Sequence, residues 1–176
     1  MPRLIGHLVV LIGIACSPVL LCLAAPAGLR AETLEEGYEA WSKGDYAAAL
    51  TEWQPLAEAG NADAQSLVGF MYYNAQGVER DFPQAFAWYR RAAKQGSVLA
   101  QNNLGLMYAN GNGVRRDDVR ALLWFSVAAT TGDSHAARVS ATVNRDETAR
   151  TMSAQQIDQA QAMAWRCQQT KFKECD

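Results

Sequence analysis

The side chains with chemical potential are few: His7 and His135, four cysteines, and the adjacent acids Asp117-Asp118 and Asp146-Glu147. An enzyme needs a nucleophile, an acid–base group or a metal, and the spacings that supply them are missing. No G-x-S-x-G elbow, H-E-x-x-H helix, S-x-x-K pair or phosphate loop occurs. Neighbouring carboxylates on a helix diverge by about 100°, so the two acidic couples do not share a proton and read as caps and solvated surface. His135 stands near an expected helix start and reads as a surface residue rather than a catalyst. The sequence therefore predicts no catalytic residue, no metal and no cofactor, in a chain that binds rather than transforms.

The cysteines depend on compartment. Arg3 and His7 precede an apolar run over residues 8–25, followed by Ala25-Pro26-Ala27 and Ala31 as small-residue cleavage sites. That is the pattern of a secretory signal peptide, so residues 1–31 are expected to be removed and the remainder to be periplasmic or secreted. The alternative is an uncleaved anchor, since a run of about 18 apolar residues just spans a bilayer, and membrane contact is expected only in that case. Cys16 and Cys22 fit a lipoprotein box poorly: Gly13-Ile14-Ala15 lacks its leucine, and Leu21 is bulky.

Of 16 basic and 18 acidic side chains, the leader carries Arg3 and Arg30, which leaves 14 against 18 and about −4 after export. Nucleic acid is not an expected partner. Cys167 and Cys175 then remain in an oxidising compartment, and a disulfide is expected. On one continuous helix eight residues would hold them about 12 Å apart, beyond the roughly 7 Å limit for bridged Cα atoms, so the tail must fold back. The C-x-x-C spacing that signals redox catalysis is absent.

The elements that carry these residues repeat. Residues 61–96 and 97–132 superpose without a gap, matching Ala64/Ala100, Gln65/Gln101, Gly69/Gly105, Gly77/Gly113, Asp81/Asp117, Trp88/Trp124 and Gly96/Gly132 among others. A fixed period in this range means stacked supersecondary units that cannot bury their apolar faces alone. Ala64, Leu67, Val68, Met71 and Tyr72 paint one stripe on a first, or A, helix. Gly77 breaks it, Asp81 caps a second, or B, helix with Pro83 in its first turn, and Ala85, Trp88, Tyr89, Ala92 and Ala93 form its stripe. Small residues let backbones approach, and the tryptophans fill the space between pairs. Gly96 and Gly132 are expected where the chain leaves helical geometry.

Upstream, residues 32–60 form a shorter unit, with a capping box at Thr33 and Glu36, a Gly44-Asp45-Tyr46 turn, and Ala49, Leu50, Trp53 and Ala57 on its second helix. Residues 133–176 form a terminal cap. Ala136, Val139 and Val143 continue the A-helix stripe, 146–151 is an irregular connection, and Ser153 with Gln156 caps a last helix running to about Cys167, stapled by Met152 and Ile157.

Residues 111–117, Gly-Asn-Gly-Val-Arg-Arg-Asp, and 121–129, Ala-Leu-Leu-Trp-Phe-Ser-Val-Ala-Ala, resemble the Sel1-like repeat, a cousin of the tetratricopeptide repeat. The resemblance covers 61–132, with Ala75 standing where the first turn glycine belongs; residues 33–60 are more similar to a tetratricopeptide unit. It implies an all-α fold, a right-handed superhelix of antiparallel helix pairs that serves as an adaptor for protein complexes, with exported bacterial members linked to signalling or envelope assembly. Some cysteine-stapled relatives share the C-x7-C spacing of Cys167 and Cys175. Some are associated with β-lactam chemistry, and without S-x-x-K none of that carries over.

The resemblance also implies a concave face on the A helices. Carried across from Gly37, Gly69 and Gly105, it holds Tyr38, Trp41, Ser66, Phe70, Tyr73, Asn74, Asn102, Leu106 and Asn110, with His135 and Arg138 added through Ala141. Rigid aromatics flanked by amides suit a groove for a peptide or helix. A second reading stands beside it: Tyr38, Trp41, Phe70 and Tyr73 pack against the preceding repeat or each other, and Asn74 and Asn110 cap helix ends. The expected function is an exported scaffold for a periplasmic protein or peptide. The alternatives are a hydrolase or small-molecule binder acting on cell-wall material, and a self-associating structural protein.

Overall fold

A computed structural model describes residues 27–132 and 135–175, so most of the expected signal peptide lies outside the described residues. Eight α-helices and no strand occur among them: α1 Ala27–Ser42, α2 Tyr46–Glu58, α3 Ala62–Asn74, α4 Phe82–Ala93, α5 Val98–Asn110, α6 Asp118–Thr131, α7 His135–Ala149 and α8 Ala154–Gln169. Helices α1 to α7 pack in series, each against the next, as a stack of helix pairs must.

Local sequence accounts for the starts of α2 to α6 and of α8. The side chains of Asp45, Asn61, Asp81, Ser97 and Asp117 accept from the backbone N–H three residues on, satisfying a donor that the first helical turn leaves open. Ser153 and Gln156 complete the expected capping box on α8. Gly77 and Gly113 hold left-handed φ of 69° and 71°, and a Cβ there would lie 2.5 Å and 2.4 Å from the backbone of Tyr46 and Phe82. Each turn glycine thus lets its loop rest on the first residue of the preceding B helix.

Small residues on the A helices serve a defined packing. A Cβ added at Gly37 would meet the Trp53 ring at 2.1 Å, at Gly69 the Tyr89 ring at 3.0 Å, and at Gly105 the Phe125 ring at 2.4 Å. In three successive units an aromatic side chain of the B helix lies flat on a bare stretch of its A helix. The tryptophans join units, as expected: Trp88 belongs to a core with Ala49, Trp53, Ala57, Ala64, Val68 and Met71, whereas its neighbour Tyr89 belongs to the next core with Leu104, Trp124 and Phe125.

A polar device repeats as well. Gln65 and Gln101 are buried, and their Nε2 atoms donate to the carbonyls of Ala57 and Ala93 near the end of the preceding B helix. Their Oε1 atoms accept from Gln95 Nε2 at 2.9 Å and Thr131 Oγ1 at 3.1 Å, a pair again 36 residues apart. Every hydrogen-bonding end of the buried amide that carries this contact is satisfied inside the stack.

The ends depart from expectation. Helix α1 already runs through Thr33, so Thr33 and Glu36 do not mark a helix start. Helix α7 continues to Ala149 where 146–151 was expected to be irregular, because no glycine or proline interrupts that stretch. Its buried residue is Ala141, while Val139 and Val143 are 46% and 60% exposed. The close approach of α7 to α6 takes the small side chain, and the two valines lie on another face. Gly132 is extended, φ −65° and ψ 129°, unlike the left-handed Gly96. Helix α8 packs on α6, and the tail returns to place the Cys175 sulfur at bonding distance from Cys167, their Cα atoms 4.5 Å apart.

Candidate functional site

Three of the expected concave-face residues converge. Tyr38 and Trp41 from α1 and Phe70 from α3 line one cleft of about 260 Å³ with Trp53, Leu67 and Leu99. Its walls are supported ring on ring: Trp41 lies 5.6 Å from Phe70, 5.7 Å from Trp53 and 4.7 Å from Tyr46, and Tyr38 meets Trp53 edge-on at 5.2 Å. Each of these rings packs on a neighbour and also lines the cleft. Tyr38 and Leu99 remain about half exposed, at 46% and 50%. A preformed apolar surface of this kind needs little ordering when a partner arrives.

The cleft opens among acids. Burial raises the Tyr38 hydroxyl above its ordinary range, and the charges of Asp63 and Glu35 add to the shift. Lys43 is the only basic residue between residues 34 and 63, and its ammonium pairs with Glu39 at 2.6 Å. Leu99 also lines an adjoining hollow with Asp63, Gln95, Ser97 and Ala137, which extends the groove along the A helices toward α7.

The other expected residues are placed elsewhere. Ser66 is buried at 2% exposure and shares a 2.8 Å hydrogen bond with Ser97, so it joins α3 to the start of α5 and offers nothing to a partner. The Tyr73 hydroxyl accepts from Asn112 Nδ2 at 2.9 Å while its ring packs on Phe82. Asn102 Oδ1 accepts from Asn144 Nδ2, tying α5 to α7, and Leu106 packs on the second core. Asn74 Nδ2 donates to the carbonyl of Phe70 one turn back, and Asn74 and Asn110 are exposed at the last residues of α3 and α5. His135 and Arg138 line a separate hollow with Val139 and Val143, where Arg138 also donates to the Gly132 carbonyl.

Leu99 and Leu67 were not anticipated. Leu99 stands 36 residues after Asp63, so a leucine replaces a carboxylate between otherwise matched units. That asymmetry is the signal a comparison of matched positions passes over. Among the described residues no three of His, Cys, Asp and Glu gather as metal ligands would, and no helix is long and apolar enough to cross a membrane.

Comparison with known proteins agrees with this geometry. The Sel1 repeat pattern matches residues 62–97 and 98–133. A protective antigen present in uropathogenic Escherichia coli strains, displaying an SLR fold, is 29% identical with a TM-score of 0.73 over 82% of this chain and 30% of its own. A Sel1 repeat protein from Oxalobacter formigenes is 30% identical with a TM-score of 0.54 over 65% of this chain and 55% of its own. The chain therefore spans under a third of the first and about half of the second. No curated protein matches it. Repeats of this kind generally mediate protein–protein interaction. The internal period, the ring-on-glycine packing and these matches together describe a helical solenoid whose two central units, residues 62–97 and 98–133, match the Sel1 repeat.

Proposed function

We propose that this protein is an exported scaffold that holds a segment of a partner protein in the groove of its A helices. The observation that carries the reading is the cleft of Tyr38, Trp41, Phe70 and Leu99, an apolar surface left open on the A helices. Its chemistry describes the occupant: a bulky apolar side chain enters between the rings, and Glu35 and Asp63 favour lysine or arginine beside it. The apolar run over residues 8–25 and the placement of Cys167 beside Cys175 support export to an oxidising compartment, where the two are joined as a disulfide.

Leu99→Lys introduces a positive charge into the acid-flanked cleft at a half-exposed position and so spares the core. Fluorescence anisotropy with a labelled peptide holding one phenylalanine between lysines tests the reading. The wild type is expected to bind it, and Leu99→Lys to weaken it about tenfold or more at an unchanged melting temperature. Equal affinity for both proteins would refute the groove.

A further inference from the structure

A larger cleft of about 560 Å³ lies where α4 meets the turn between α5 and α6, and it shares no residue with the groove. Its apolar surface is Phe86, Tyr108 and Val114, and its rim carries the guanidinium groups of Arg90, Arg115 and Arg120. Among the described residues the one carboxylate lining it is Asp117, which caps α6 and pairs with Arg120 at 2.7 Å. Of the consecutive arginines, Arg116 is held by Asp118 through two hydrogen bonds, whereas Arg115 makes no ion pair among the described residues. A smaller hollow shares Phe86 and Arg90 and adds Arg91 and Lys94.

This concentration of positive charge is built into the sequence. No acid occurs between Asp81 and Asp117, while Arg90, Arg91, Lys94, Arg115 and Arg116 all do, in a chain whose net charge is −2. Positive side chains are therefore gathered here against the overall balance.

We propose that this cleft is a second docking site, and that its occupant is an acidic protein segment carrying an apolar or aromatic side chain. Guanidinium groups match carboxylates in geometry as well as charge, which accounts for the rim. Bare phosphate would leave Phe86, Tyr108 and Val114 uncovered, and a concave hollow gives a lipid surface nothing to receive. With a groove that favours basic segments on α1 and α3 and a cleft that favours acidic ones at α4 and α6, the solenoid bridges two segments of opposite charge.

The test is anisotropy with a labelled peptide of glutamates around one phenylalanine, titrated with the exported chain. Binding is expected to weaken with added salt and to fall about tenfold in Arg115→Glu and in Arg90→Glu. It should be unchanged in Arg166→Glu on α8 and in Leu99→Lys. Arg115→Ala, an exposed change in the turn, gives the same direction should Arg90→Glu lower the melting temperature. The proposal is overturned by absence of binding, by equal binding of the peptide with serine for phenylalanine, or by an equal loss in Arg166→Glu. Displacement of the peptide by inorganic phosphate or anionic phospholipid vesicles at matched concentration would overturn it too. Loss of peptide binding in Leu99→Lys would merge the two sites and also sink it, whereas failure of the groove with its own lysine-flanked peptide leaves this result intact.

Discussion

Ala75 shows at the level of one residue how a repeat tolerates an imperfect copy. It ends α3 with φ 58° and donates its N–H to Met71, just as Gly111, 36 residues on, ends α5 with φ 71° and donates to Met107. A Cβ crowds the backbone in this conformation, so Ala75→Gly should raise stability by about 1 kcal/mol, read as a higher melting temperature. The ring-on-glycine packing predicts a ranking instead. Gly105→Ala places its methyl 2.4 Å from the Phe125 ring and should destabilise by about 1–3 kcal/mol, while Gly69→Ala, 3.0 Å from the Tyr89 ring, should cost less in a denaturant melt. Tyr89 adds a pH dependence. Burial, and secondarily the nearby Tyr73, raises its hydroxyl above the ordinary tyrosine value of about 10, so the unfolded chain ionises first. Stability is full below that value and is lost as pH climbs above it, and Tyr89→Phe should flatten the alkaline limb of the unfolding profile.

The helices were legible in the sequence because their starts and stops are written in side chains. Asp45, Asp81, Asp117 and Ser153 stand where they cap. Buried small residues mark the seams: Ala93 is fully buried, and Ala93→Leu should overpack it at about 1–3 kcal/mol in a thermal melt. Position 33 misled because a threonine followed by a glutamate three residues on also occurs inside a helix, and periodicity could not tell the valines of α7 from Ala141, whose smallness decides the contact with α6. The approach of Cys175 to Cys167 is a tertiary matter too. Spacing required the tail to turn back but not where, and the N–H of Phe172 donating to the Cys167 carbonyl completes that turn. Cys175→Ser should destabilise α8 by about 2–3 kcal/mol and release faster amide exchange over 160–169.

Across the whole molecule, the period fixed which faces meet but not which hollows stay open. Matching units position by position favours residues that are alike, and alikeness serves the stack, as Gln65 and Gln101 do; Ser66, Tyr73 and Asn102 were expected on the partner face and are taken up by bonds to Ser97, Asn112 and Asn144. What is unlike gives the molecule its surfaces, as Leu99 does opposite Asp63 and the acid-free stretch between Asp81 and Asp117 does for the arginine cleft. The most direct measurement is site-specific photocrosslinking in cells that produce the protein, with the photoreactive side chain at Leu99 in the groove or at Trp165, 66% exposed on α8. The groove predicts protein adducts from position 99 that the lysine-flanked peptide suppresses, and none from 165. Adducts of equal yield from both positions, or adducts at 99 indifferent to the peptide, would contradict it.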